Sequence, residues 1–268
     1  MVSLTIDSCL LDVYSREKGP YPVTNFPQNM THTLHAWKAD HLRFSLFSND
    51  VIQEPVEAIY SRIFGEQASE VSKKPASGEN SAIGVHEDFK FELRCTFNRI
   101  DLILSPAYPS ALEVSLITRI EDSVGKLRRL ASQLTKGRSD LIRLAFGGHY
   151  LFEVENPIEG YKKLSEMTRQ NFDFEKHRDV NFQINIPKKA KSDSTLFLNR
   201  LTRWACPSIE VHAISSMSSV RKSYFCGCLA DFNTDGDRNI VFEEEVVNSL
   251  ILELTDEMLN FVSHGINP

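Results

Sequence analysis

The chain has 268 residues, 41% of them hydrophobic and 25% charged, with a formal net charge of −6. That composition is ordinary for a soluble globular protein with a sizeable core, and its acidic balance argues against a dedicated nucleic-acid binder. No window reaches the roughly 18 apolar residues needed to cross a bilayer, and the five cysteines, odd in number and scattered, read as free thiols in a reducing cytoplasm rather than a disulfide framework.

From the N-terminus, residues 1–11 carry no positive charge and Asp7 interrupts their apolar run, so no secretory signal is expected. Residues 32–47 read as a strand, with Leu42, Phe44 and Leu46 alternating. A short helix is expected over 55–64, where Val56, Ile59, Tyr60, Ile63 and Phe64 share one side and Gly65 stops it. The Ser/Lys/Gly/Glu-rich stretch 66–84 has almost no large apolar residue and reads as a mobile loop. Residues 89–95 alternate cleanly as a strand that 100–104 can pair with.

A long helix is expected over 110–136. Ser110 and Glu113 make a capping box, Leu112, Leu116, Ile120, Val124, Leu127 and Leu134 form the apolar stripe, and Gly137 ends it. Residues 141–154 read as two strands turning at Gly147-Gly148. Asn156-Pro157-Ile158-Glu159 supplies an N-cap, an N1 proline and a capping glutamate for a helix reaching about Thr168. Short strands follow over 180–186, 196–201, 209–214 and 224–232, with a polar loop at 188–194. A second long helix spans 243–264, its first turn acidic and its stripe made by Val247, Leu250, Leu254, Met258 and Phe261.

These elements predict an α+β protein with two antiparallel sheet units, 1–138 and 139–268, each packed on one long amphipathic helix. The words Phe97-Asn98-Arg99-Ile100 and Leu198-Asn199-Arg200-Leu201 point to a pseudo-duplication of the two units.

Three clusters carry candidate chemistry. Asp231, Asn233, Asp235 and Asp237 open like an EF-hand Ca²⁺ loop, but Arg238 and Phe242 stand where an apolar residue and a bidentate Glu are needed. A strand also precedes the segment where an EF-hand has a helix, so an exposed, solvated turn is the preferred reading and no cofactor is expected. Arg99, Lys188, Lys189, Lys191, Arg200, Arg203 and Trp204, with Gln183 and Asn185 beside them, could form an anion or nucleic-acid surface with an aromatic for stacking. Nucleophilic catalysis has no support: Gly-x-Ser-x-Gly, Walker and Rossmann fingerprints are all missing. His32 and His35 are close in sequence, but their segment reads as extended.

Three segments resemble a set of uncharacterised bacterial proteins of similar length. They are Leu141-Ile142-Arg143-Leu144-Ala145-Phe146, Phe182-Gln183-Ile184-Asn185 and Leu229-Ala230-Asp231-Phe232-Asn233-Thr234, followed by the closing helix with Phe261 and His264. The resemblance covers residues 140–268 at most and implies a two-unit α+β protein with no assigned reaction. With no catalytic constellation, the leading expectation is a non-enzymatic cytoplasmic protein-interaction protein, a complex subunit or homodimer. A nucleic-acid-binding accessory protein is the alternative, and an enzyme of unknown class ranks third.

Overall fold

A computed structural model describes residues 36–108, 113–212, 220–236 and 241–266. In chain order the elements are β1 (Trp37–Ser48), α1 (Val56–Phe64), β2 (Glu70–Lys74), β3 (Glu79–His86), β4 (Phe89–Thr96), β5 (Arg99–Pro106), α2 (Ile120–Thr135), β6 (Leu141–Val154), α3 (Pro157–Thr168), β7 (Asn181–Asn185), β8 (Lys188–Lys189), β9 (Phe197–Ala205), β10 (Ser208–His212), β11 (Val220–Thr234) and α4 (Glu244–His264). All strand pairings are antiparallel.

The expected pair of sheet units, each on its own long helix, is not what forms. One eleven-stranded sheet runs β2-β3-β4-β5-β1-β6-β11-β9-β7, with β10 on β11 and β8 on β9. The reason is the central seam. β1 and β6 are long, and they pair from Trp37↔Phe152 to Ser48↔Leu141, so the edges that would have bounded two sheets are used on each other. The boundary near 138 falls in the connection between α2 and β6, while a single apolar cluster draws on strands and helices from both sides of it.

Gly147 and Gly148 belong to this seam rather than to a hairpin turn. A Cβ on Gly147 would lie 2.5 Å from the Ala230 carbonyl oxygen, and one on Gly148 2.8 Å from that of His41. Only glycine lets β1, β6 and β11 approach this closely, so the chain runs straight through as one strand.

Strand alternation divides the sheet into two faces. Leu42, Phe44 and Leu46 of β1, Leu144, Phe146 and Tyr150 of β6, and Cys226, Cys228, Ala230 and Phe232 of β11 are buried in the same cluster as the apolar stripes of all four helices. The helices therefore share one side. The opposite side has no helix among the described residues.

The local readings fared unevenly. α3 begins as its sequence dictates: the Asn156 side chain accepts the Glu159 amide at 3.1 Å behind Pro157. α1 and α4 match their expected stripes, and Gly65 closes α1 in the left-handed region at φ 74°. The helix expected over 110–136 begins only at Ile120. Ser110 and Leu112 lie outside the described residues, Glu113 pairs with Arg221 at 2.9 Å, and Ile117 is extended against Ala39 through two backbone hydrogen bonds of 2.9 and 2.7 Å. A strand-edge contact thus overrides the capping pattern. The expected loop over 66–84 instead holds the hairpin β2–β3, whose first strand is a largely exposed sheet edge and so carries no apolar alternation. The two Asn-Arg words occupy different places in the sheet: Arg99 opens β5, next to β1, whereas Asn199 and Arg200 lie on β9, which is separated from β6 by β11. Pseudo-duplication is not supported by them.

Candidate functional site

The helix-free face is built by the alternate positions of the central strands. Register sets Arg43 of β1 opposite Gly147 of β6, and Gly147 opposite Asp231 of β11. With no side chain between them, Arg43 Nη2 reaches to 3.6 Å from Asp231 Oδ1. One row away, Ser45, Ala145, Asn233 and Asn199 lie side by side. Ser45, Ala145 and Gly147 give this region a floor of small residues with longer polar chains around it.

A line of hydrogen bonds and cation–π contacts crosses six strands. Asn185 donates to Asn199 at 3.1 Å, and Asn199 donates to Asn233 at 3.3 Å. The same Asn233 Oδ1 accepts from Arg143 Nη2 at 2.9 Å. The guanidinium groups of Arg143 and Arg99 each stand 5.1 Å from the Phe47 ring centroid, so this phenylalanine is flanked by two cations. Arg99 then donates to Asp101 at 2.9 Å, and the Ser45 hydroxyl donates to the same carboxylate at 2.5 Å.

Next to Arg43, a β-bulge shifts the register between Ala39 and His41, and Asp40 is the extra residue. The bulge turns Asp40 towards two imidazoles: its Oδ2 is 3.2 Å from His41 Nδ1 and 3.5 Å from His149 Nδ1. Hydrogen bonds from His149 and then His41 hold the Asp40 carboxyl well below the usual carboxylate range. Among the described residues no group of three or more His, Cys, Asp or Glu side chains is placed to hold a metal ion.

Three of the six buried side-chain polar atoms without a hydrogen-bond partner among the described residues, Arg43 Nε, Arg143 Nε and Asp231 Oδ1, belong to this face. Buried polar atoms are rarely left this way unless something else serves them.

The predicted basic patch is divided between the two sides. Arg99 and Arg203 belong to the helix-free face. Arg200 points the other way, is 6% exposed, and pairs with Glu257 of α4 at 3.2 Å while its Nε donates to the Ile186 carbonyl at 2.9 Å. Lys188 also pairs with Glu257, and the Lys191 amide donates to Glu253 at 2.8 Å. Lys189 is exposed on β8. Trp204 is fully buried and donates to Thr202 at 3.1 Å, so it offers no stacking surface. Of the basic side chains over 188–200, those of Lys188 and Arg200 fasten the sheet to α4.

The acidic segment is laid out along a strand rather than wrapped into a loop. β11 continues through Thr234, past the strand end expected at Phe232. Asp231 faces Arg43, Asn233 is 3% exposed within the asparagine line, and the Asp235 amide donates to the Phe197 carbonyl at 2.9 Å. Asp237 lies outside the described residues. No family model and no curated protein matches the chain.

A Glu–His–Tyr array near α1 also invites a catalytic reading. Glu66 Oε1 lies 2.7 Å from His86 Nδ1, and His86 Nε2 lies 2.8 Å from the Tyr60 hydroxyl. Burial, with Glu66 nearby, pushes the Tyr60 hydroxyl up to about 12. The ring is fully buried, and Gly84 packs so close that a Cβ there would sit 1.9 Å from the hydroxyl. The Tyr60–His86 contact thus packs α1 on β3.

Sequence reasoning missed Arg43, Phe47, Arg143 and the Asp40/His41/His149 cluster. Period-two spacing could have placed His41, Arg43, Ser45 and Phe47 opposite Leu42, Phe44 and Leu46. Nothing local announces which strand lies alongside.

Proposed function

We propose that this protein is a non-enzymatic protein-interaction protein that uses the helix-free sheet face around Gly147 to hold a partner protein or a second copy of itself. The observation that carries this reading is an arginine-flanked phenylalanine beside Arg43 Nε, Arg143 Nε and Asp231 Oδ1, three atoms that make no hydrogen bond among the described residues. Arginine and aromatic side chains on a firm floor are what interfaces use as anchors. Carboxylates are interspersed among the cations: Glu92, Asp101 and Asp231 alternate with Arg94, Arg99 and Arg43. A mixed-charge partner surface matches such a pattern, whereas a nucleic-acid backbone would meet those carboxylates at close range.

The test is light scattering over a range of concentrations, joined with cross-linking of any co-purifying protein. The expected result is a dimer or a complex whose cross-links fall on the helix-free face, and Arg143→Glu with Phe47→Ala abolishes it. A strict monomer, or a complex cross-linked only through the helices, overturns the reading. A low-salt gel shift with Arg99→Glu and Arg203→Glu variants tests the nucleic-acid alternative, which predicts salt-sensitive binding lost in both variants.

A further inference from the structure

β9 and β10 pair in one register along β11, from Leu198↔Thr234 through Gly227↔Ala205 to His212↔Val220. Carrying that register across the break places Cys206 directly opposite Cys226, and Phe225 opposite Pro207. The Phe225 amide donates to the Pro207 carbonyl at 3.0 Å, which makes that pair a hydrogen-bonded site and its neighbour Cys206/Cys226 a non-hydrogen-bonded one. At such sites the Cα atoms stand about 4.5 Å apart with the side chains on one face, inside the roughly 4.4–6.8 Å range that a disulfide bridges without moving the backbone. Both cysteines are reduced, and only Cys206 retains solvent contact, Cys226 being fully buried.

The surroundings differ for the two sulfurs, with the more open side at Cys206. α3 covers the pair with Gly160, which leaves the Cys206 sulfur without a side chain over it: a Cβ there would be 3.5 Å away. Lys163, 6% exposed, places its ammonium 4.4 Å from the centroid of Phe152, the residue paired with Cys226 on β6. The neighbouring Cys206 and burial push the Cys226 thiol well up, with Lys163 offsetting this only in part, so Cys226 keeps its proton until it resolves.

We infer that Cys206 and Cys226 form a cross-strand dithiol that reacts reversibly with small disulfides, Cys206 as the entry thiol and Cys226 as the resolving one. In the first step the Cys206 thiolate attacks one sulfur of the incoming disulfide, its proton having passed to water, and one thiolate leaves. In the second, Cys226 attacks Cys206 Sγ, the mixed disulfide breaks, and the departing thiolate takes up the Cys226 proton. The protein loses two electrons and two protons, and the small disulfide becomes two thiols. Cys228, two residues along the same strand, is fully buried opposite Tyr150 and Trp204 and has no sulfur across from it.

The test is treatment of the intact, reduced protein with glutathione disulfide, read by intact mass and by peptide mapping without reductant. The expected result is loss of two hydrogen atoms, mapped to a Cys206–Cys226 cross-link that dithiothreitol reverses. Cys226→Ser should instead stop at a stable glutathione adduct on Cys206, and Cys206→Ser should leave Cys226 unmodified while the fold persists. The wild-type map needs no substitution, so a misfolded variant does not leave the inference untested. A persistent adduct on wild-type Cys206, a cross-link through any other cysteine, or no reaction overturns it.

Discussion

Arg200 and Asp231 lie one residue out of register on neighbouring strands, yet they point to opposite sides of the sheet and live in different physical settings. Arg200 and Glu257 are 7% and 8% exposed at their side chains, and a second cation, Lys188, shares the carboxylate. Asp231 and Arg43 retain 37% and 30% of their side-chain exposure, and their closest approach is 3.6 Å. The same ion-pair chemistry therefore does two jobs. Under α4 it fastens β8 and β9 to the helix, where a lost partner strands a buried charge. On the helix-free face water screens it, so those side chains cost little to rearrange when another surface arrives.

The largest effect that sharpens this contrast is expected from Glu257→Ala, which leaves Arg200 buried without its counter-ion. Denaturant unfolding should show a loss of about 3–5 kcal/mol. A loss under about 1 kcal/mol, the size of a surface pair, would erase the distinction between the two sides.

Gly147→Ala comes next. It faces the open side, but its Cβ would meet the backbone of Ala230 rather than a movable side chain. Forcing β6 and β11 apart should cost about 1–3 kcal/mol. A fully stable variant would mean that the seam is not tightly closed.

Smaller still is Arg43→Ala, where melting should report less than about 1 kcal/mol while partner binding falls sharply. A change in stability that matches the change in binding would make Arg43 structural.

The smallest effect concerns pH. The Asp40 carboxyl titrates below the usual carboxylate value of about 3.9 because His149 and His41 bind its charged form. Its ionised form therefore adds stability above that pH, and the contribution fades as acid protonates it in the folded state. The melting temperature of Asp40→Asn should lie slightly below wild type near neutrality, and the two should converge as the pH is taken below about 4. A gap that widens in acid would reverse the assignment.

The legible parts of the sequence were those decided by near neighbours. Asn156, Pro157 and Glu159 fix the start of α3 within four residues, and the stripe from Val247 to Phe261 needs only a helix to collect it. What stayed hidden depends on distant partners. Ser110 and Glu113 look like a cap, but Ala39 decides that Ile117 is extended. Gly147-Gly148 looks like a turn until β1 and β11 are laid on either side. Asp40 joins His149 only through a bulge, and Cys206 meets Cys226 only through a register running from β9 to β10. The candidate face is a set of alternate positions on strands far apart in the chain, so its residues carried no local signature.

The β1–β6 seam also has a consequence for the order in which the chain is assembled. β1 finds β5 some sixty residues later, but its other edge waits for β6, whose first paired residue is Leu141. Until then a growing chain presents Leu42, Phe44 and Leu46 on a strand with one open edge, a template for mispairing with other nascent chains. Closing so distant a pair is slow, because the intervening chain must be ordered before the contact rewards it. Before β6 is available, β1 is therefore an edge open to mispairing, and covering that edge at this stage would limit aggregation.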